Sequence, residues 1–368
     1  MKTEMSYTIT SKQLLFTLIS CMLGAGILSL PRVTAEAVGQ DAWLAVILGG
    51  IIPLVSIWLS NKVVSRHPGL SFAALTEKLA GKWAGKLLAA VFVTYSVIAS
   101  AAILRVFTEV ITIFLLPNTP ILVKILLGLA VSAYMASGGI KVLGRLNEFL
   151  FYVLLPPLFL SIPAVVKYAD LHYLMPVLNN NLAEYSKAAF TTGFAYSGFE
   201  AIIVFAPYVL KKKETLKAAV LALIITIMIY LYAVITTVTV FGPELTQMFT
   251  WPTLRLLSVT EIPVLERIEF IAIIAWIGVA IRPVSNQYFC AGLIIKDAFG
   301  IKSLSKVVAL LYPIIAAIAW YPKNIGIVFR LSDFVGMYSL ILGTALPLLL
   351  LGLSLIRGKG RARDEKKT

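Results

Sequence analysis

Apolar residues along this chain neither alternate nor recur on one helical face. They run on, roughly 20 residues or more at a time, the length a helix needs to cross the hydrocarbon core of a bilayer. Short polar stretches separate the runs and predict ten spans, at about 12–38, 42–61, 87–116, 121–137, 146–166, 186–209, 215–241, 267–295, 304–321 and 333–356. The predicted fold class is all-α: a polytopic membrane protein forming a single integral membrane domain over residues 1–368.

Two of the runs are interrupted from within. In the first, Gly24-Ala25-Gly26-Ile27-Leu28-Ser29-Leu30-Pro31 sits at mid-span. A helix in lipid must satisfy its own backbone, so two glycines followed by Ser-Leu-Pro predict an unwound point that lines a site. The helix is expected to resume as a short second half through Val38, with Ser29 capping it and Pro31 in its first turn. Gly24 and Ser20, four residues apart, also fit a small-residue packing face, and the two readings are compatible.

The sixth run repeats the peculiarity with Thr192-Gly193-Phe194-Ala195-Tyr196-Ser197-Gly198-Phe199-Glu200. Interrupted spans one and six lie five apart. Because five is odd, a five-helix repeat must cross the membrane upside down relative to its partner. Inverted repeats at about 12–166 and 186–356, with a central site between the two breaks, are the expectation. Two unrelated glycine-rich packing spots are the alternative.

Composition agrees, with 59% hydrophobic and 14% charged residues and a mean hydropathy of +0.91. The net charge of +14 raises nucleic acid as a partner. The basic residues, however, are spread over short loops instead of forming one patch with aromatics, and they orient the chain. With both termini in the cytoplasm, only Arg32, Lys124, Lys167, Lys187, Arg255, Arg267, Lys323 and Arg330 of the 32 Lys and Arg fall outside, while Arg105 and Arg282 lie within spans. Lys211-Lys212-Lys213 and the basic tail from Arg357 are expected at anionic lipid headgroups.

Other chemistries find little support. Leu18-Ile19-Ser20-Cys21 mimics a lipoprotein box, but the apolar run continues past the cysteine. Cys21 and Cys290 both fall in spans, and with only His67 and His172 beside them no metal set or cofactor is expected. Gly81-Lys82-Trp83-Ala84-Gly85-Lys86 lacks phosphate-loop spacing and reads as part of a cytoplasmic amphipathic segment. No nucleophile and base come together in any span or loop, so an enzyme is not expected.

Intramembrane charge is the stronger pointer. Arg105 and Glu109 stand at i and i+4 in span three, Glu200 closes the second break, and Arg282 lies near the centre of span eight. Together they sum to zero and are expected to surround an internal cavity, with Arg282 drawing on Glu200 or Glu109. For Arg105 and Glu109 a neutral pair that ties helices together is the alternative. Tyr95 either offers its hydroxyl to the cavity or packs as a core aromatic. Exposed N–H groups at a half-helix N-terminus suit a carboxylate, and free carbonyls or Glu200 suit an ammonium; that is the chemistry of a small zwitterion.

Taken together, MLGAGILSLPR (22–32), GKWAGK (81–86), FAYSGFE (194–200), KKK (211–213), WPT (251–253), ERIE (266–269) and SDFVG (332–336) resemble a known family. The two breaks look like helices one and six of the amino acid/polyamine/organocation superfamily, with its leucine-transporter fold. The whole set resembles the B subunit of the spore germinant receptors of endospore-forming bacteria. The resemblance implies a subunit of the spore inner membrane, assembled with a larger A subunit and a lipoprotein C subunit. It implies binding of a small germinant, often an amino acid, that triggers germination. Carried onto this sequence, the ligand site comprises Gly24, Ala25, Gly26 and Ile27 with Phe194, Ala195, Tyr196, Ser197, Gly198 and Glu200, joined by Tyr95, Arg105 and Arg282. A secondary active amino acid transporter, built on the same machinery, is the alternative function.

Overall fold

The computed structural model describes residues 8–261 and 268–364, and helix accounts for nearly all of the regular structure there. Every expected span is met by helix. The first is broken into Ser11–Met22 and Gly26–Val38, and the second into Ala42–Gly49 and Ile51–Arg66. Spans three, four and five are Lys82–Phe114, Ile121–Ser137, and Gly139–Phe159 continued by Ile162–Tyr168. Span six opens with Leu182–Thr191 and turns by 44° into the stretch Gly193–Tyr208. Thr215–Met248, Ile268–Phe299, Leu304–Trp320 and Ile325–Asp364 complete the order. Among the described residues, five helical stretches are long and apolar enough to cross a membrane, and the bent pair makes a sixth.

The first helix starts where the sequence supplies a reciprocal cap. Thr10 Oγ1 accepts from the Gln13 N–H at 3.1 Å while Gln13 Oε1 accepts from the Thr10 N–H at 3.0 Å, satisfying two donors a helix start would otherwise leave open. Beside it, the backbone of Ile9 pairs with Tyr208 and Leu210, and Lys12 meets Glu148 at 2.8 Å. His67 meets Ser354 at 2.8 Å. One end of the bundle therefore gathers the start of span one, the ends of spans two, six and ten, and the start of span five.

The opposite end is closed by Asp41, buried in the turn after span one. Its carboxylate accepts from the N–H groups of Leu178 and Asn179, from Asn180 Nδ2 and from the Tyr185 hydroxyl, at 2.6 to 3.0 Å. The polar connector around Asn179-Asn180-Asn181 is thereby tied to the turn after span one.

Two local expectations in span one are corrected. Ala25 and Gly26 already hold helical backbone angles, so the second half of span one begins at Gly26 and Ser29 lies inside it. Ser29 donates back to the Gly26 carbonyl at 3.4 Å instead of capping, and Pro31 falls beyond the first turn. Within the basic loop 62–86, Phe72–Ala80 is a helix packed on span three. A Cβ at Gly85 would come within 2.5 Å of the Glu77 backbone, so this glycine of GKWAGK serves close helix approach. Span seven is regular through Phe241 and then turns at Gly242 with φ +74°. The ERIE motif begins outside the described residues.

Candidate functional site

The two breaks pack against each other, backbone on backbone. A Cβ at Gly26 would lie 2.6 Å from Ala195 Cα, and one at Gly24 would meet Pro283 of span eight at 3.2 Å. Gly198, at φ +115°, faces the Cys21 carbonyl so closely that any Cβ would strike it. Glycine is required at Gly26 and Gly198 because L side chains neither fit these gaps nor, at Gly198, tolerate the dihedral. Gly336 of the SDFVG motif does the same for span ten, approaching the Phe194 N–H.

One hydroxyl bridges the breaks. Tyr230 Oη in span seven lies 2.8 Å from the Met22 carbonyl and 2.6 Å from the Ala195 carbonyl. Met22 ends the first half of span one and Ala195 lies in the single turn before the second break, so both carbonyls flank the breaks and share the single hydroxyl proton. The Tyr196 ring meets Tyr230 edge-on at 5.2 Å, and its hydroxyl donates to the Val46 carbonyl of span two at 2.7 Å. Sequence reasoning missed Tyr230, since span seven reads as uniform; a tyrosine in mid-membrane, where its hydroxyl needs a partner, was the available signal.

Glu200 is buried directly beyond the second break and is saturated. Its Oε1 accepts from the Tyr95 hydroxyl at 2.7 Å and from Gln287 Nε2 at 2.8 Å. Its Oε2 accepts from the Gly198 N–H and the Ser339 hydroxyl, each at 2.8 Å. The carboxylate thus latches span six to spans three, eight and ten. Tyr95 belongs to this latch, and neither residue presents a free polar atom to a ligand.

Gly26, Phe194 and Ala195 line a small cavity that also touches Ser29, Arg32, Val106, Ser332 and Asp333, with a volume of about 30 Å³. A water needs about 10–15 Å³ by the same measure, so the space holds a couple of waters and no amino acid. Arg32 pairs with Glu36 at 3.1 Å and lies over the Phe329 ring at 4.7 Å, closing the end of the cavity. Ser197 turns its hydroxyl back to the Phe194 carbonyl at 2.8 Å. Ile27 lines an adjoining apolar cavity of about 40 Å³ beneath the short helix Pro252–Ser258.

The four intramembrane charges do not surround one cavity, because each meets its own partners on different helices. Arg105 Nη2 binds Glu109 Oε1 at 2.7 Å and the Pro322 carbonyl at 3.0 Å, at the boundary of spans three and nine. Arg282 is fully buried and reaches the Asn147 carbonyl at 3.5 Å. Around it, Asn147, Asn286 and Ser20 form a ring: Ser20 Oγ donates to Asn147 Oδ1 at 2.9 Å, Asn147 Nδ2 to Asn286 Oδ1 at 2.9 Å, and Asn286 Nδ2 to Ser20 Oγ at 3.2 Å. This ring clamps the first half of span one to spans five and eight. Of the predicted site residues, the structure brings Gly24, Ala25, Gly26, Ile27 and Phe194 through Gly198 together at the breaks, sets Tyr95 and Glu200 in the latch beside them, and leaves Arg105 and Arg282 with partners of their own elsewhere.

Comparison with known proteins agrees with this geometry. Among solved structures, MhsT in complex with L-phenylalanine superposes with a TM-score of 0.65 at 16% identity, covering 93% of this chain and 97% of that one. A Na+-coupled sialic acid symporter in a substrate-bound outward-open state also gives 0.65, at 14% identity over 93% of this chain and 79% of that one. These show the leucine-transporter-like fold. Spore germination protein YndE of Bacillus subtilis (strain 168) is 31% identical over 97% of this chain and 98% of its own length. Spore germination protein GerQB of Bacillus cereus is 27% identical over 80% of this chain and 82% of its own. The family described as "Spore germination protein" matches residues 8–327. With an interrupted span at the head of each repeat, a leucine-transporter-like fold and a family match over most of its length, the chain belongs to the spore germination protein family.

Proposed function

We propose that this chain is the membrane-embedded B subunit of a nutrient-germinant receptor, and that it senses a small amino-acid-like germinant between the breaks of spans one and six. The observation that carries the reading is the Tyr230 bridge between the backbones that flank the two breaks, beside a cavity lined by Gly26, Phe194 and Ala195. At about 30 Å³ that cavity admits an amino acid only if the spans separate. A ligand that binds the parted arrangement better than the packed one shifts the population between them, and sensing requires nothing more. Backbone N–H groups at the start of the second half of span one receive the carboxylate, and carbonyls released from Tyr230 receive the ammonium. The subunit acts in the spore inner membrane with both termini in the cytoplasm, and passes the change to A and C partner subunits.

A secondary active amino acid transporter is the second reading, favoured by the fold shared with a symporter. Two measurements separate them. Spores lacking this gene and complemented with Gly26→Val should lose the response to one class of nutrient, since the valine side chain occupies the gap beside Ala195 that the ligand would enter. Unchanged responses to every nutrient would sink the receptor reading. Proteoliposomes of the purified subunit should bind the germinant without net flux; ligand-coupled uptake would favour the transporter.

A further inference from the structure

Away from the breaks, at the end of the bundle that carries Asp41, spans three, four and nine leave a recess of about 450 Å³. Arg105 forms part of its wall together with Ile121, Ala317, Trp320, Tyr321 and Lys323. Arg105 is only 1% exposed. Glu109 and the Pro322 carbonyl occupy its Nη2, whereas its Nε and Nη1 are buried with no acceptor among the described residues. Leaving buried charged donors unmatched is costly. Lys124 stands nearby, itself buried, with its Nζ held by the Thr112 hydroxyl at 2.6 Å and the Leu116 carbonyl at 3.0 Å. Arg105 and Lys124 thus stand near one carboxylate, Glu109, and Lys323 adds a third cation on the recess wall.

We propose that this recess binds one oxyanion, a phosphate or a carboxylate, carried on a molecule with an apolar body. The Nε and Nη1 donors of the guanidinium remain unmatched, and an anionic oxygen is the strongest acceptor for such charged N–H groups. Lys323 at the rim adds attraction. The rest of the wall is apolar, and its aromatics, Trp320 at 60% and Tyr321 at 75% exposure, have the character of residues at a membrane–water interface. Both a phospholipid headgroup and a free amphiphilic acid carry this chemistry. The site is separate from the breaks, so it stands whether or not a germinant binds there.

The test uses the full chain purified in a mild detergent, titrated with inorganic phosphate, octanoate, and monomeric short-chain phosphatidylglycerol. Ala317→Phe fills the recess while leaving every charge in place, and Lys323→Gln removes only an exposed rim charge. Saturable binding of at least one probe is expected, weakened about tenfold or more by Ala317→Phe and less by Lys323→Gln. Binding of phosphatidylglycerol above the other two assigns the lipid as the source. Binding of octanoate or inorganic phosphate at least as tightly assigns a free anion. Failure of all three probes to bind, or binding that Ala317→Phe leaves unchanged, overturns the proposal. Because neither variant alters Arg105, loss of binding does not depend on removing a buried charge.

Discussion

The hydroxyl of Thr253 donates to the carbonyl of Ile27 at 2.9 Å. Pro31, four residues beyond Ile27, has no N–H to give that carbonyl its helical partner. The short helix Pro252–Ser258 therefore completes the first broken span from outside, and two separate sequence motifs, GAGILSLP and WPT, meet in one hydrogen bond. Thr253→Val keeps the shape and removes the donor. It should destabilise the protein by about 1–3 kcal/mol, seen as a lower midpoint in thermal unfolding followed with a thiol-reactive dye at the buried Cys21 and Cys290. Thr253→Ser should restore most of it.

Tyr230→Phe removes the proton shared by the Met22 and Ala195 carbonyls while the ring contact with Tyr196 stays. The packed arrangement should lose about 1–2 kcal/mol relative to the parted one. Since the loss falls on the state without ligand, spores carrying the variant should respond at lower germinant concentration. A dose-response curve shifted the other way would contradict the bridge as a closing contact.

Replacing Glu200 by Gln tests the latch one bond at a time. The amide oxygen can still accept from Tyr95 and Gln287, and the Ser339 hydroxyl can turn to accept from the new NH2. The Gly198 N–H cannot turn. One charge-assisted bond is lost, and a drop of about 1.5–3 kcal/mol in unfolding free energy is expected. Glu200→Ala, which strands all four donors, should cost clearly more.

Acid should loosen the end of the bundle that Asp41 closes. Burial raises the affinity of this carboxyl for a proton, but the Tyr185 hydroxyl, the Leu178 and Asn179 N–H groups and Asn180 outweigh it and hold Asp41 below its ordinary value of 3.8. A carboxyl depressed on folding contributes stability that is present above its unfolded pKa and lost as pH falls through the folded one. Thermal stability should therefore decline on acidification below about pH 4. Asp41→Asn should be less stable at neutral pH and should flatten that decline; an unaltered pH profile would count against the clasp.

Much of this architecture was legible because the bilayer makes strong demands on sequence. Ten apolar runs pointed to spans, and GAGILSLP and TGFAYSGFE pointed to interruptions over plain packing faces, since glycine and proline do not sustain a regular helix at mid-membrane without partners. Their separation by five spans implied the inverted repeat. Partner choice was not legible. Four ionisable residues that balance in sum were expected to meet, yet Glu200 spends its lone pairs on Tyr95, Gln287, Ser339 and Gly198, and Arg105 stays with Glu109 at the edge of span nine. Net charge along a chain carries no information about which helix faces touch.

The sequence by itself determined the fold class, the two breaks and the family, because each follows from local chemistry: span length, backbone-breaking residues and motif content. Only the tertiary structure decided what the breaks do. It set Gly26 against Ala195 and Gly198 against Cys21, and it brought in Tyr230 and Thr253 from helices that look ordinary in sequence. Carbonyls freed by unwinding take whichever donor the packing delivers, and packing is a property of the whole bundle.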